Sequence, residues 1–148
     1  MSIEATIQDL TRRWLKGAAD NDVEAIMALY HPTIRSFDAI LAIQVSGEKA
    51  YRAHWKKCME SCPAEPFFEM HDLVVEASDS LAVSYSLTHC GATVEGEKQG
   101  GWMRCTHVWK RDGDQWKIVH EHFSCPFNPE DMSLIMTWQP EHTPVPFN

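Results

Sequence analysis

The sequence holds no cluster of lysine and arginine, although 13 of its 148 residues are basic. Set against 21 acidic residues they leave a formal net charge of −8, scattered in pairs such as Arg12-Arg13 and Lys56-Lys57. Nucleic acids and anionic membrane surfaces are recognised through a basic footprint, so neither is an expected partner. No apolar run reaches the roughly 20 residues of a membrane-spanning helix. The N-terminus has neither the charged nor the apolar region of a signal peptide, and a cytoplasmic location is expected. Cysteine provides no framework: Cys58, Cys62, Cys90, Cys105 and Cys125 are expected to be reduced. Cys58 and Cys62 stand four apart on an expected helix, without the second nearby pair that a tetrahedral zinc site needs. Internal repeats and low-complexity tracts are absent as well.

What is present describes an ordinary globular chain, with 44% hydrophobic and 23% charged residues. Its length suits one domain with a proper core. Six tryptophans and six phenylalanines point to a core or cavity rich in large rings.

Helical spacing of Ile3, Ile7, Leu10, Trp14 and Ala18 predicts a helix over residues 2–19. Asp20-Asn21-Asp22 breaks it and caps a short second helix, Val23 to Tyr30, which His31-Pro32 stops. Thr33 to Asp38 reads as extended, with Ile34, Ser36 and Asp38 on one face, and a second extended piece runs from Leu41 to Val45. Glu48 to Ser61 is a third helix that buries Tyr51, Trp55, Cys58 and Met59; Pro63 and Pro66 end it. Strands follow over Phe67–Ala77, Leu81–Thr93 and Gly101–Lys110. Three helices followed by antiparallel strands give a segregated α+β pattern. After residue 126 the chain is a proline-rich tail, in which Asn128-Pro129 offers a start for a short helix reaching Trp138.

The last strand, Trp116 to Ser124, alternates with period two, which puts Trp116, Ile118, His120, His122 and Ser124 on one face. A three-residue loop Arg111-Asp112-Gly113 would pair Val108 with Trp116, Thr106 with Ile118, Arg104 with His120 and Trp102 with His122. A two-residue turn would instead bring Met103, Cys105, His107 and Trp109 to that face. The first register gathers Arg104 beside two histidines and is the one expected. It leaves Met103, Cys105, His107, Trp109, Val119 and Phe123 on a face too apolar for open solvent, so another element or a second copy must cover it.

The stretch Thr106-His107-Val108-Trp109-Lys110-Arg111-Asp112-Gly113 and the strand after it resemble the signature hairpin of the NTF2-like superfamily, in its SnoaL-like and ketosteroid-isomerase-like branch. The hairpin is also similar to that of the calmodulin-dependent kinase II association domain. Asn21-Asp22-Val23, Met27-Ala28-Leu29-Tyr30 and Ser46-Gly47-Glu48-Lys49-Ala50 add to the likeness, which covers most of residues 2–126. It implies one domain over 1–126, an α+β cone of three helices on a curved, mostly antiparallel sheet around a pocket, and a homodimer through the sheet.

The resemblance places Asp38 where the isomerase branch carries the aspartate that moves a proton next to a carbonyl. The residues alone allow either a base in an apolar pocket or a turn cap. Trp14 and Lys110 stand where a steroid isomerase has its oxyanion donors, so steroid isomerisation is not expected. His120 and His122 are the expected proton donors or orienting groups. As metal ligands they lack an evident third partner. Arg104 is expected either to pair with an internal acid or to hold a ligand carboxylate. Trp14, Tyr30, Trp55 and Trp102 are expected to line the cavity. Two functions follow: an isomerase, dehydratase or cyclase without metal or organic cofactor acting on a small hydrophobic carbonyl compound, or a non-catalytic ligand-binding or oligomerising domain.

Overall fold

The computed structural model describes residues 1–62, 65–138 and 141–148. Helix α1 (Ile3–Ala19) starts where Ser2 Oγ accepts the Ala5 amide at 3.1 Å, and it buries Ile7, Thr11, Trp14 and Ala18. These positions recur every three or four residues, so they form one face turned to the sheet. Helix α2 (Val23–Met27) is capped by Asp22 and is shorter than expected. Tyr30 already belongs to strand β1 (Tyr30–Phe37), which precedes the brief β2 (Val45–Ser46). Of the extended piece expected over Leu41–Val45, only Val45 is in a strand. Helix α3 (Glu48–Glu60) follows Gly47, whose φ of +90° suits a residue without a side chain. Pro63, expected to end this helix, lies outside the described residues.

Three long strands and the final hairpin complete the chain: β3 (Glu65–Ala77), β4 (Leu81–Val94), β5 (Glu97–Asp112) and β6 (Gln115–Ser124). The sheet runs β2-β1-β6-β5-β4-β3, antiparallel throughout except for the parallel β1–β6 pair. The helices cover one face. That face of β4 carries Ala82, Ser84, Ser86 and Thr88, all small and buried, and the space they leave accepts the rings of the central layer. Trp109 is fully buried, and its indole nitrogen donates to Ser84 Oγ at 3.0 Å. Bulges in β3 between His71 and Val74 and in β6 beside Val119 add the curvature a cone needs.

The hairpin corrects the expected register. Its loop is the two-residue turn Gly113-Asp114, with Asp112 opposite Gln115, Arg111 opposite Trp116 and Trp109 opposite Ile118. Val119 is then an extra residue, so that Val108 meets His120, Thr106 meets His122 and Arg104 meets Ser124. The inward side switches at the bulge, from Trp116 and Ile118 before it to Glu121 and Phe123 after it. Met103, Cys105, His107 and Trp109 therefore face the helices, and these cover the apolar set that the other register leaves bare.

The tail also differs from expectation. No helix forms between Pro129 and Trp138; the chain makes a turn around Asn128–Ser133 and then runs along β5, where Met136 O accepts the Trp102 amide at 2.8 Å. Each proline lacks an amide donor, and Met132 adopts φ +61°, which together break helical continuity. The last residues clip to β3: Phe147 donates its amide to Met70 O, and Asp72 exchanges hydrogen bonds with Val145.

Candidate functional site

A cavity of about 200 Å³ opens between α3, β3, β4 and the end of β1. Trp55, Phe67, Phe68, Met103 and Phe123 form most of its wall, with thiols from Cys58, Cys62 and Cys90. Its polar end holds Asp38, His54 and Tyr51; among the described residues no lysine or arginine lines it. A larger hollow of about 590 Å³ between α1, α2 and the start of β6 is an open groove edged by both signs of charge, such as Lys16, Asp20 and Lys117. Its lining is charged where that of the smaller cavity is largely apolar, so the smaller cavity is the candidate site.

Asp38 stands just past the end of β1, where its Oδ1 accepts the Ala39 and Ile40 amides at 2.7 and 3.3 Å. The turn-capping role and the pocket role thus coincide in one carboxylate. Its Oδ2 lies 2.6 Å from His54 Nε2, and both side chains are about nine-tenths buried. Burial pushes the Asp38 carboxyl above its ordinary range, and the hydrogen bond from His54 opposes that rise. A carboxylate held less acidic than usual beside an imidazole can take a proton from carbon and pass it on.

Cys58 Sγ lies 3.6 Å from the same His54 nitrogen that meets Asp38. A nucleophilic Cys-His-Asp arrangement needs the two ring nitrogens to serve different partners. Burial also raises the Cys58 thiol, as it does Cys90, which reaches about 11. Cys58 and Cys90 are walls here, not nucleophiles.

Behind the cavity lies a buried carboxylate. Glu121 is fully enclosed, and both Tyr30 and Tyr51 donate their hydroxyls to it, one to each oxygen. His107 Nε2 lies 2.6 Å from Glu121 Oε2, and Trp14 Nε1 donates to the Tyr30 hydroxyl at 2.8 Å. Three polar partners around two oxygens replace the water that burial removes. Burial, then the Glu121 charge, pushes both tyrosine hydroxyls well above their usual range, so they remain donors. Tyr51 joins the two groups, since its ring stacks on His54 at 5.9 Å and 16°.

The structure separates the residues that the sequence pattern groups together. Asp38 and Trp55 line the cavity, while Trp14 and Tyr30 belong to the core beneath it. His120, His122, Arg104 and Trp102 do share a face, but it is the one turned away from the helices, so they do not assemble around the cavity. His120 Nδ1 meets Arg35 O at 2.7 Å, while exposed His122 shares a shallow depression with Asp38, so these two expected site residues do edge one hollow. Arg104 pairs with no acid among the described residues; its Nε donates to Ser124 Oγ at 3.0 Å. The residues missed are His54, Glu121, His107 and the hydroxyl of Tyr51. His54 had a signal: a lone imidazole flanking the apolar stripe of α3, three residues from Tyr51 and four from Cys58.

Comparison with known proteins agrees with this architecture. The family model of the SnoaL-like domain matches residues 7–128. An NTF2-like protein of unknown function from Pseudomonas putida KT2440 superposes with a TM-score of 0.87 at 39% identity, over 95% of this chain and 99% of that one. A candidate ketosteroid isomerase from Parabacteroides distasonis gives 0.68 at 26% identity, over 88% and 92% of the two chains. A candidate dehydratase of the NTF2-like family from Streptomyces avermitilis gives 0.67 at 14%, over 80% and 92%, a likeness of fold alone. No curated protein matches. The chain belongs to the NTF2-like superfamily, in its SnoaL-like family.

Proposed function

We propose that the protein is an isomerase or lyase that moves a proton on a small, neutral, hydrophobic carbonyl compound, with Asp38 as base and His54 as its orienting partner and proton relay. The observation that carries this reading is the Asp38–His54 pair at the one polar end of an apolar cavity. The cavity volume of about 200 Å³ falls below the ~300 Å³ at which pockets for drug-sized ligands begin, which favours one ring or two fused rings over a steroid. With Asp38 at its polar end and, among the described residues, no lysine or arginine in its wall, the cavity disfavours a carboxylate or phosphate ligand.

Asp38 Oδ2 would accept the proton from the carbon next to the carbonyl, and His54 would stabilise the carboxyl while the proton is held. Return of that proton to another carbon gives isomerisation; its transfer, through His54, to a hydroxyl on the next carbon lets that hydroxyl leave as water and gives dehydration. The non-catalytic alternative is less favoured, because Arg104, the group expected to grip an anion, stands outside the cavity. The test is deuterium uptake from solvent into a panel of neutral cyclic ketones, followed by NMR. Uptake in the native protein, lost in Asp38→Asn and reduced in His54→Gln with circular dichroism unchanged, is expected. Uptake that persists in Asp38→Asn, or none in the native protein, overturns the assignment.

A further inference from the structure

A second cavity, of about 210 Å³, lies on the opposite side of the sheet, between its outer face and the tail. Leu87 on β4 and Trp102 on β5 form its floor; Pro126, Ile135, Thr137 and Trp138 form its wall. The wall is fastened: Ile135 donates its amide to Pro126 O, Asn128 donates to Ser133 O, and Met136 O accepts from Trp102, each at 2.8 Å. Trp138 meets Trp102 edge-to-face at 5.0 Å, and Trp102 stacks on His89 at 4.8 Å. The tail is thus held against the sheet in a way that leaves an aromatic corner open beneath it.

Arg104 stands at the rim. Its Nε is fixed by Ser124 Oγ, a neutral group, and among the described residues neither terminal amino group carries a hydrogen bond or an ion pair. Among the described residues no acidic one lines the cavity. In a chain of net charge −8, an oriented guanidinium without a carboxylate partner beside two indoles is an uncommon arrangement. It matches one chemistry. The two free amino groups can take a carboxylate side by side, while the indoles take a flat apolar body.

We infer that this outer cavity binds a small aromatic carboxylate, with Arg104 holding the carboxylate and Trp102 and Trp138 enclosing the ring. The site lies across the sheet from the Asp38 cavity, with Met103 lining both, and takes ligands of the charge that cavity disfavours. A ligand here would also join the tail to β5, so its binding would tighten the tail.

Calorimetric titration of the full chain with phenylacetate, and with phenylacetamide as its neutral counterpart, tests the inference. Saturable binding of phenylacetate is expected, weakened about tenfold or more in Arg104→Gln and in Trp138→Ala and unchanged in Asp38→Asn. The amide is expected to bind at least about tenfold more weakly than the acid. No saturation by about 10 mM phenylacetate overturns the inference. So does equal affinity for the amide, or an affinity that Arg104→Gln leaves intact. Light scattering of the native protein and of Arg104→Gln completes the test. Equal masses are expected; a change of mass would assign the cavity to contact with a second copy instead.

Discussion

The ring of Tyr51 lies parallel to the imidazole of His54, 5.9 Å away, while its hydroxyl donates to the buried Glu121. One side chain therefore ties the pair at the cavity to the charge behind it. Tyr51→Phe keeps the ring and removes one of three polar partners of Glu121. It should lower stability in urea by about 1–3 kcal/mol. Glu121→Ala strands His107 and two tyrosines at once and should cost about 3–5 kcal/mol. Equal losses in the two variants would mean that the hydroxyls do not converge on Glu121.

Asp38→Asn should stabilise the protein while it removes proton transfer. Burial raises the folded-state pKa of Asp38 above the unfolded value, so the folded chain holds its proton more tightly than the unfolded chain does. Ionisation then costs stability as pH rises from the unfolded value through the folded one. The gain of the Asp38→Asn variant over the native chain should be nil below about pH 4 and grow as pH rises through the raised folded value. Thermal melts of both proteins across that range check this; a gain that shrinks with rising pH would contradict it.

Gly91 and Gly100 face each other across β4 and β5. A Cβ on Gly91 would come within 2.1 Å of Gln99 O, and one on Gly100 within 2.0 Å of Cys90 O. Backbone atoms cannot rotate aside, so Gly91→Ala must spread the strands at the wall of the cavity. A fall in melting temperature is expected, larger than that of Ala42→Gly in the loop before β2.

The tail's clip on β3 should depend on Asp72. Its carboxyl is held below the ordinary range, first by the Val145 amide and then by His142 2.8 Å away. The depressed value means that this contribution is present above the usual aspartate pKa of about 3.9 and is lost as pH falls through the lower folded value. Asp72→Asn at neutral pH should speed hydrogen exchange at Val145. The Trp102 amide, held by Met136, should keep its protection. Parallel loss at both sites would show that the tail releases as one unit.

Much of the fold was legible in the sequence, because α1 displays its buried residues at helical spacing and β4 and β5 alternate cleanly. In α3 only Tyr51 is fully buried, and Trp55, Cys58 and Met59 are half-buried because they line the cavity. Asp38 was legible as a carboxylate at a strand end amid apolar neighbours. The partners of Asp38 were not. His54 comes from a helix that reaches it only through the tertiary fold, and its neighbours in sequence, Ala53 and Trp55, carry no hint of a carboxylate. Alternation in β6 misled because it was assumed to run unbroken. The residues of β5 held the correction: Cys105, His107 and Trp109 are too costly to leave in water, and the two-residue turn sends them inward beside Trp116 and Ile118.

That extra residue makes β6 two half-strands in opposite phase. Deleting Val119 would give unbroken alternation with Ile118, Glu121 and Phe123 still inward and His120 and His122 still outward, removing the bulge while leaving the buried charge and its hydrogen-bonded set in place. An alignment of related chains that places a gap at this position would therefore describe the same interior, whereas a chain of full length that paired without a bulge would turn His120 and His122 inward in place of Glu121 and Phe123.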